Sequence, residues 1–123
     1  MDTSYVVAIA FREPDHEARL VRLAEFEHVL ASNLLEAELW SAFTREGVQD
    51  VPQDLLSRIS WVMPDRPLSD EIGRVMSAGY LRGGDAWHLA CALYLSADPT
   101  ELAFLTLDGA QESVASKIGF PTS

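Results

Sequence analysis

Apolar and polar positions alternate in a way that divides the chain into short strand-like runs and longer helical runs. Residues 102–107 are apolar almost without a break, as expected of a buried parallel strand, and they give the clearest strand pattern. Residues 28–31 and residues 59–63, which stop at Pro64, also fit strands. Because these runs alternate with helical segments, the sequence predicts an α/β fold with a mainly parallel sheet.

Helical spacing of apolar residues is clearest over residues 85–96, where small and aliphatic side chains recur on one face. The run over residues 3–11 is apolar throughout, and so short a run fits either a strand or a helix. The other predicted helices cover residues 15–25, 34–46, 51–58, 69–78 and 109–118.

Polar residues ahead of two of these helices are predicted to cap them. Ser32 or Asn33 precedes the helix over residues 34–46. Asp50 and Gln53 have the spacing of a cap at the start of the helix over residues 51–58.

Length and composition indicate one globular unit. The 123 residues are expected to form a single domain, 1–123, with a substantial hydrophobic core. No apolar run approaches the ~20 residues of a membrane span, and the N-terminus lacks the pattern of a secretion signal. The one cysteine, Cys91, excludes an internal disulfide and fits a small buried residue. We therefore expect a cytoplasmic protein without membrane contact.

The net charge of −10 argues against an extended basic surface for nucleic acid. It leaves open a nuclease in which metal ions bridge the acids to phosphate. It also favours a basic protein partner over a basic role of the chain itself.

Four carboxylates occupy positions where an acid is unusual or sharply placed: Asp2 ahead of an apolar run, Glu38 inside a helix, Asp85 after two glycines, and Asp108 after the clearest strand pattern. If the fold brings them together, their oxygens suit Mg²⁺ or Mn²⁺. Structural roles remain open for three of them. Asp2 fits a helix cap, Asp108 with Gln111 has capping-box spacing, and Asp85 complements a helix dipole.

Glu38 is the strongest single candidate. Leu35 and Ala42 lie three residues before it and four after it, which places Glu38 on the inward stripe of the predicted helix. A lone buried carboxylate is costly and must pair or bind a cation. Glu36, the alternative acid, falls on the outer side of the same helix.

Several neighbouring residues are candidates for support or for contact with a substrate. His88 lies one helical turn after Asp85, where a satisfied histidine and a hydrogen-bonding partner of a carboxylate are both open. Ser4 and Thr106 are small hydroxyls beside the acids and fit backbone-bonding caps or ligand contacts. Arg82 is a candidate phosphate contact, with surface ion pairing as the alternative.

Four motifs carry a family resemblance: Asp2-Thr3-Ser4, residues 32–39 with the acid at Glu38, Asp85-Ala86-Trp87-His88-Leu89-Ala90, and residues 105–108 followed by a helix. In this order the chain resembles the PIN-domain family, and most closely the VapC-type toxins of toxin–antitoxin pairs. The resemblance covers nearly the whole chain, and its most specific part is the run that begins at Asp85.

The resemblance implies a three-layer α/β/α fold with the acids gathered at the carboxyl edge of a mainly parallel sheet. It also implies a helix over residues 3–11. The family has a full strand before its first Asp, whereas only Met1 precedes Asp2 here. Either a strand is missing upstream of Met1 or the sheet has lost a central strand. We expect the first, a truncated start, because losing a central strand leaves ladder groups and core faces unpaired.

The function implied by the resemblance is a Mg²⁺- or Mn²⁺-dependent endoribonuclease, the toxin of a toxin–antitoxin pair. Asp2, Asp85 and Asp108 would be metal ligands, directly or through water, and Glu38 would be a ligand or would orient the attacking water. RNA, a cognate antitoxin and a second copy in a homodimer would be the partners. The alternatives are a non-catalytic PIN-like protein-binding module and a small-molecule phosphohydrolase.

Overall fold

Helices make up most of the chain, and two short parallel strands lie between them. The structure is a computed structural model that describes residues 1–122, and Ser123 lies outside that range. The helices are α1 (Thr3–Ala10), α2 (His16–Ala24), α3 (Leu34–Arg45), α4 (Gln53–Leu56), α5 (Ser69–Ala78), α6 (Gly83–Leu95) and α7 (Gly109–Ile118). The strands are β1 (Val29–Ser32) and β2 (Ile59–Val62), and a short 3₁₀ helix covers Pro99–Glu101.

The sheet is covered by helices on both faces. Val29 and Ala31 of β1 pack with Ile59 of β2 in a core cluster that includes residues of α1, α3 and α4. The alternate positions, Leu30 and Val62, pack on the other face with residues of α6. Successive strand residues point to opposite faces, and each strand has buried residues on both faces, although Ser60 of β2 is exposed. The predicted α/β/α class is thereby confirmed.

The predicted helices agree closely with the observed ones. The helix over residues 69–78 has the observed bounds of α5, and residues 3–11 contain α1 rather than a strand. The prediction for residues 51–58 was too long, because α4 covers only Gln53–Leu56. The chain must leave the helix there to enter β2 at Ile59.

The cap predicted for α3 is right in position but makes no side-chain hydrogen bond, and the cap predicted for α4 was wrong. Asn33 holds the cap position of α3 without a side-chain hydrogen bond, and the Ser32 hydroxyl contacts His88 instead. Pro52, not Asp50, precedes α4. At both sites the polar residue lies close to a helix start, but its side chain does not reach the helix amides.

The strand predicted over residues 102–107 was also wrong. Within residues 1–122 this segment forms only an isolated parallel bridge, between Phe104 and Thr122, with Phe104 N–H donating to the Pro121 carbonyl at 2.8 Å. Phe104 and Leu105 are buried, at 1% and 4% exposure. The apolar pattern therefore predicted burial correctly. A strand also requires a neighbouring ladder, and within residues 1–122 β1 pairs only with β2.

No helix within residues 1–122 is long and apolar enough to cross a bilayer. Cys91 is buried in α6, as predicted. Burial raises the pKa of its thiol to about 11, which keeps the side chain neutral.

Candidate active site

Asp2 lies buried at the start of α1. Its Oδ2 accepts a hydrogen bond from the Ser4 amide at 3.0 Å, so the predicted cap is confirmed. Its own amide donates to the Leu105 carbonyl at 2.8 Å. Asp2 is therefore held between the first helix and the buried segment that leads to Asp108.

Glu38 reaches inward from α3, while Glu36 is exposed, as predicted. Its Oε1 accepts a hydrogen bond from the Thr3 hydroxyl at 2.8 Å and lies 2.5 Å from His88 Nε2. A half-buried carboxylate requires such partners. The sequence pattern placed Glu38 correctly but gave no indication of Thr3.

His88 joins the sheet to the acids. Its Nδ1 lies 2.9 Å from the Ser32 hydroxyl, and its Nε2 lies 3.7 Å from Asp2 Oδ1 as well as close to Glu38. An ionised carboxylate only accepts hydrogen bonds, so we assign the Nε2 proton to the bond with Glu38. The sequence left two roles open for His88, a satisfied histidine and a hydrogen-bonding partner of a carboxylate. The observed contacts fit the second role.

Asp108 caps α7, where its Oδ1 accepts a hydrogen bond from the Gln111 amide at 2.9 Å. The hydroxyls of Ser4 and Thr106 lie nearby and both accept hydrogen bonds from backbone amides. Of their two predicted roles, this agrees with backbone-bonding caps. Ser4 Oγ accepts from the Leu107 amide at 3.0 Å, and Thr106 Oγ1 accepts from the Asp108 amide at 3.0 Å. They fix the turn that carries Asp108 against the start of α1.

The side chain of Gln111 connects the acids, whereas sequence reasoning had noted only the capping-box spacing of Gln111 with Asp108. The Gln111 side chain is fully buried, and its Nε2 donates to Asp2 Oδ1 at 3.2 Å and to the Asp85 carbonyl at 3.1 Å. Its Oε1 accepts from the Thr106 hydroxyl at 2.6 Å. A signal was present, since Gln111 lies on the inward stripe of α7 with Val114 and Ala115, as Glu38 does on α3.

Asp85 lies in the first turn of α6, and the charges of the other acids act on it. Burial is the largest cause of the pKa of Asp85 being raised above its usual range. The charges of Asp2, Asp108 and Glu38 raise this pKa further, and His88 acts in the opposite direction. No donor within residues 1–122 hydrogen-bonds its carboxylate. The four predicted acids are therefore close enough to interact electrostatically, although they come from distant parts of the chain.

Asp2 and Glu38 are shifted in the opposite direction. Burial is the largest effect on Asp2 and acts to raise its pKa, but hydrogen bonds from Ser4 and Gln111 and the charge of His88 together lower it. The hydrogen bond with His88 is the main cause of the lowered pKa of Glu38, and burial opposes it. The site thus contains two acids held ionised by the protein beside one whose ionisation is penalised.

The acids are not arranged as a finished metal site. Within residues 1–122, no group of three or more His, Cys, Asp or Glu side chains is placed to hold a metal ion. The hydrogen bonds described above occupy the oxygens of Asp2 and one oxygen of Glu38. Arg82, the candidate phosphate contact, is exposed at the residue before α6.

The PIN domain family matches residues 1–117, and the chain belongs to this family. PIN domains are generally nucleases that use divalent metal ions, so the fold is of a nuclease type. No curated protein and no solved structure matches the chain.

The raised pKa of Asp85 gives a stability prediction for the metal-free protein. A group whose pKa is higher in the folded state favours folding below its unfolded pKa, and this advantage is lost as the pH rises through the folded pKa. We expect Asp85→Asn to increase the free energy of unfolding in EDTA at pH 7, and this gain to vanish below about pH 3.9, the ordinary pKa of Asp. Urea unfolding across this pH range measures it.

Asp70→Asn is the matched control, because Asp70 is also an acid in the first turn of a helix but is exposed. Both substitutions lose the favourable interaction with the helix dipole, and only Asp85→Asn relieves burial and repulsion. Equal effects of the two substitutions at pH 7 would contradict the prediction.

Proposed function

We propose that this chain is a Mg²⁺- or Mn²⁺-dependent endoribonuclease that hydrolyses RNA phosphodiester bonds, of the VapC type within the PIN family. The observation that carries the proposal is the convergence of Asp2, Asp85 and Asp108 on Gln111, which is hydrogen-bonded to all three. In this arrangement burial, and then the charges of Asp2, Asp108 and Glu38, raise the pKa of Asp85. Acids that repel one another in this way gain most when a cation neutralises them. Four hard oxygen donors of this kind suit Mg²⁺ or Mn²⁺ better than softer metals.

The carboxylate oxygens at this site are of the chemical type that binds a divalent ion. Asp85 has an uncommitted carboxylate, and Asp108 uses only Oδ1 for its cap, so these two would be ligands. Asp2 would be a ligand directly or through water, and Glu38 would be a ligand or would orient the attacking water. When bound, the ion would polarise a phosphoryl oxygen and lower the pKa of a water molecule.

The protein's own contribution is orientation. His88 and Thr3 hold Glu38, and Gln111 holds Asp2, so their ionised oxygens face the site without reorganisation at each turnover. The exposed guanidinium of Arg82 is three residues before Asp85 and would contact an RNA phosphate. The expected products carry a 5′-phosphate and a 3′-hydroxyl.

The biological role that we propose is a cytoplasmic toxin in which residues 1–123 form a single domain. The chain would act as a homodimer and be silenced by an antitoxin. The net charge of −10 suits a basic antitoxin segment. An Arg of that segment could pair with the acids by charge-assisted hydrogen bonds.

The test is cleavage of structured RNA with Mg²⁺, with Mn²⁺ and with excess EDTA. We expect cleavage only with a divalent ion, with 5′-phosphate products and no turnover of a generic phosphate ester. Hydrolysis of the ester alone would indicate a small-molecule phosphohydrolase. Absence of both activities, together with no thermal stabilisation by Mn²⁺, would indicate a non-catalytic protein-binding module and would overturn the proposal.

A further inference from the structure

Tyr80 is the most exposed large hydrophobic side chain within residues 1–122, at 83% exposure. The other two tyrosines are held by the protein, since buried Tyr5 donates its hydroxyl proton to a backbone carbonyl and Tyr94 donates to Asp65 at 3.1 Å. In the part of the chain that the structure describes, the Tyr80 side chain makes no hydrogen bond, ion pair or ring contact. Packing of the fold therefore does not account for an aromatic ring at this position.

The loop that carries Tyr80, residues 79–82, is anchored on both sides of it. Gly79 lies against α7, where an added Cβ would come within 2.9 Å of Val114 Cγ2, closer than carbon atoms pack. Leu81 is buried, at 4% exposure, in the core cluster that contains Val114. The ring is thus presented to solvent from a fixed backbone, so a ligand that packs on it loses little affinity to ordering of the loop.

The same loop leads directly to the acids. Arg82 has extended backbone and is exposed at the residue before α6, and Asp85 follows in the first turn of that helix. Residues of extended chain point alternately to opposite sides, so Tyr80 and Arg82 share the exposed side while Leu81 takes the buried one. Chain geometry places the Cα atoms of Tyr80 and Asp85 at most roughly 13 Å apart. An aromatic ring and a guanidinium therefore lie together beside the candidate active site.

We propose that Tyr80 is a substrate-binding residue on which an unpaired RNA base stacks, while Arg82 contacts a neighbouring phosphate and the bond to be cleaved lies at the acids. This inference rests on the proposed ribonuclease function and adds the class of substrate, a single-stranded segment or a loop of RNA. A base within a duplex is already stacked on its neighbours and has no free face for the ring, whereas an unpaired base can be splayed out onto it.

The charge of the chain favours stacking as a source of affinity for RNA. The chain has 9 Lys and Arg residues against 19 Asp and Glu residues, so phosphate contacts can supply little of the binding. Stacking on an aromatic side chain needs no charge and raises affinity by roughly 5- to 150-fold per base. Because every base has a π face, we expect selection for unpaired nucleotides rather than for a fixed sequence.

The experiment compares the unmodified chain with Tyr80→Ala and Tyr80→Phe in cleavage of single-stranded RNA with Mn²⁺. Tyr80→Ala is expected to raise KM about tenfold or more with kcat nearly unchanged, because stacking stabilises bound substrate and transition state alike. Tyr80→Phe keeps the ring and should behave as the unmodified chain. Trp40→Ala is the matched control, since it removes an aromatic ring at 45% exposure from α3, and it should change neither constant.

RNAs that each lack one base near the cleavage site identify the stacked base. For each RNA, the KM of Tyr80→Ala is divided by that of the unmodified chain. If Tyr80 stacks on one base, removal of that base removes the effect of the substitution, so this ratio should fall to about 1 for one RNA and remain at about tenfold for the others. The same ratios are measured for the Kd of binding in EDTA, where no cleavage is expected.

Equal KM and Kd values for Tyr80→Ala and the unmodified chain would overturn the inference and leave a protein partner as the use of the exposed ring. A ratio that no missing base restores to 1 would overturn it as well. The proposed function is decided separately, by whether the unmodified chain cleaves RNA with Mn²⁺. A chain that binds RNA through Tyr80 in EDTA but never cleaves it would uphold the stacking contact and contradict the nuclease, and a chain that neither binds nor cleaves RNA would overturn both.

Discussion

Asp85→Asn is expected to reduce RNA cleavage by more than about a hundredfold, beyond the 10–100-fold loss typical of residues that only support a metal ligand. The substitution removes one of the charges that attract the cation and keeps the shape of the side chain. Mn²⁺ stabilises a folded protein that binds it, and we expect the rise in Tm with Mn²⁺ to disappear in Asp85→Asn. Single-turnover cleavage and thermal unfolding with and without Mn²⁺ measure the two effects.

The same substitution is expected to increase the stability of the metal-free protein, which separates loss of function from loss of folding. Asp70→Asn again serves as the control and should keep both the cleavage rate and the response to Mn²⁺. An Asp85→Asn protein that cleaves RNA at the rate of the unmodified chain would remove Asp85 from the metal site and would contradict the proposed mechanism.

Helix positions could be predicted from the sequence because their signal is local. The bounds of α5 and α7 follow from apolar spacing together with the glycines that end them, Gly79 and Gly119. The apolar run at Thr3–Ala10 could not be assigned in this way, because a buried helix and a buried strand are equally apolar. Only the family resemblance indicated that it is a helix, and the structure confirms this.

The strand predicted over residues 102–107 shows the limit of local patterns. Burial of Phe104 and Leu105 is a property that apolar composition reports, whereas strand pairing depends on segments far away in sequence. Here a cavity of about 310 Å³, rather than a neighbouring strand, lies between residues 102–105 and β1. The pattern was that of a buried strand, and within residues 1–122 the segment makes single backbone hydrogen bonds with Pro121 and Asp2 rather than a ladder.

The acids could be predicted individually, whereas only some of their partners, such as His88, could be. Glu38 stands out because it interrupts an apolar stripe, and Asp108 because it ends an apolar run. Their partners Thr3 and Gln111 are common polar residues whose roles depend on long-range contacts, such as the one between Gln111 and Asp2. Asp2 and Asp108 also have two roles at once, because each caps a helix and each belongs to the group of four candidate metal ligands.

Gln111→Glu is expected to have the largest effect on stability. Glu has nearly the shape of Gln, but an acceptor oxygen would replace the amide group that donates to Asp2 Oδ1 and to the Asp85 carbonyl. Gln111 is fully buried, so an ionised carboxylate there would be desolvated and would face the carboxylate of Asp2. Uncompensated buried charges of this kind cost about 3–5 kcal/mol, and we expect a loss of that size in urea unfolding at pH 7.

The pH dependence and a matched control distinguish this effect from simple misfit. Burial and the charge of Asp2 would raise the pKa of the new carboxyl, so its protonated form can donate one hydrogen bond. The destabilisation should therefore shrink as the pH falls towards 5, although Asp2 remains ionised because its own pKa is lowered. Gln53→Glu makes the same chemical change at an exposed position at the start of α4 and should alter stability by less than about 0.5 kcal/mol at either pH. A Gln111→Glu protein as stable as Gln53→Glu at pH 7 would show that Gln111 does not hold Asp2, and orientation of the acids by this residue would have to be abandoned.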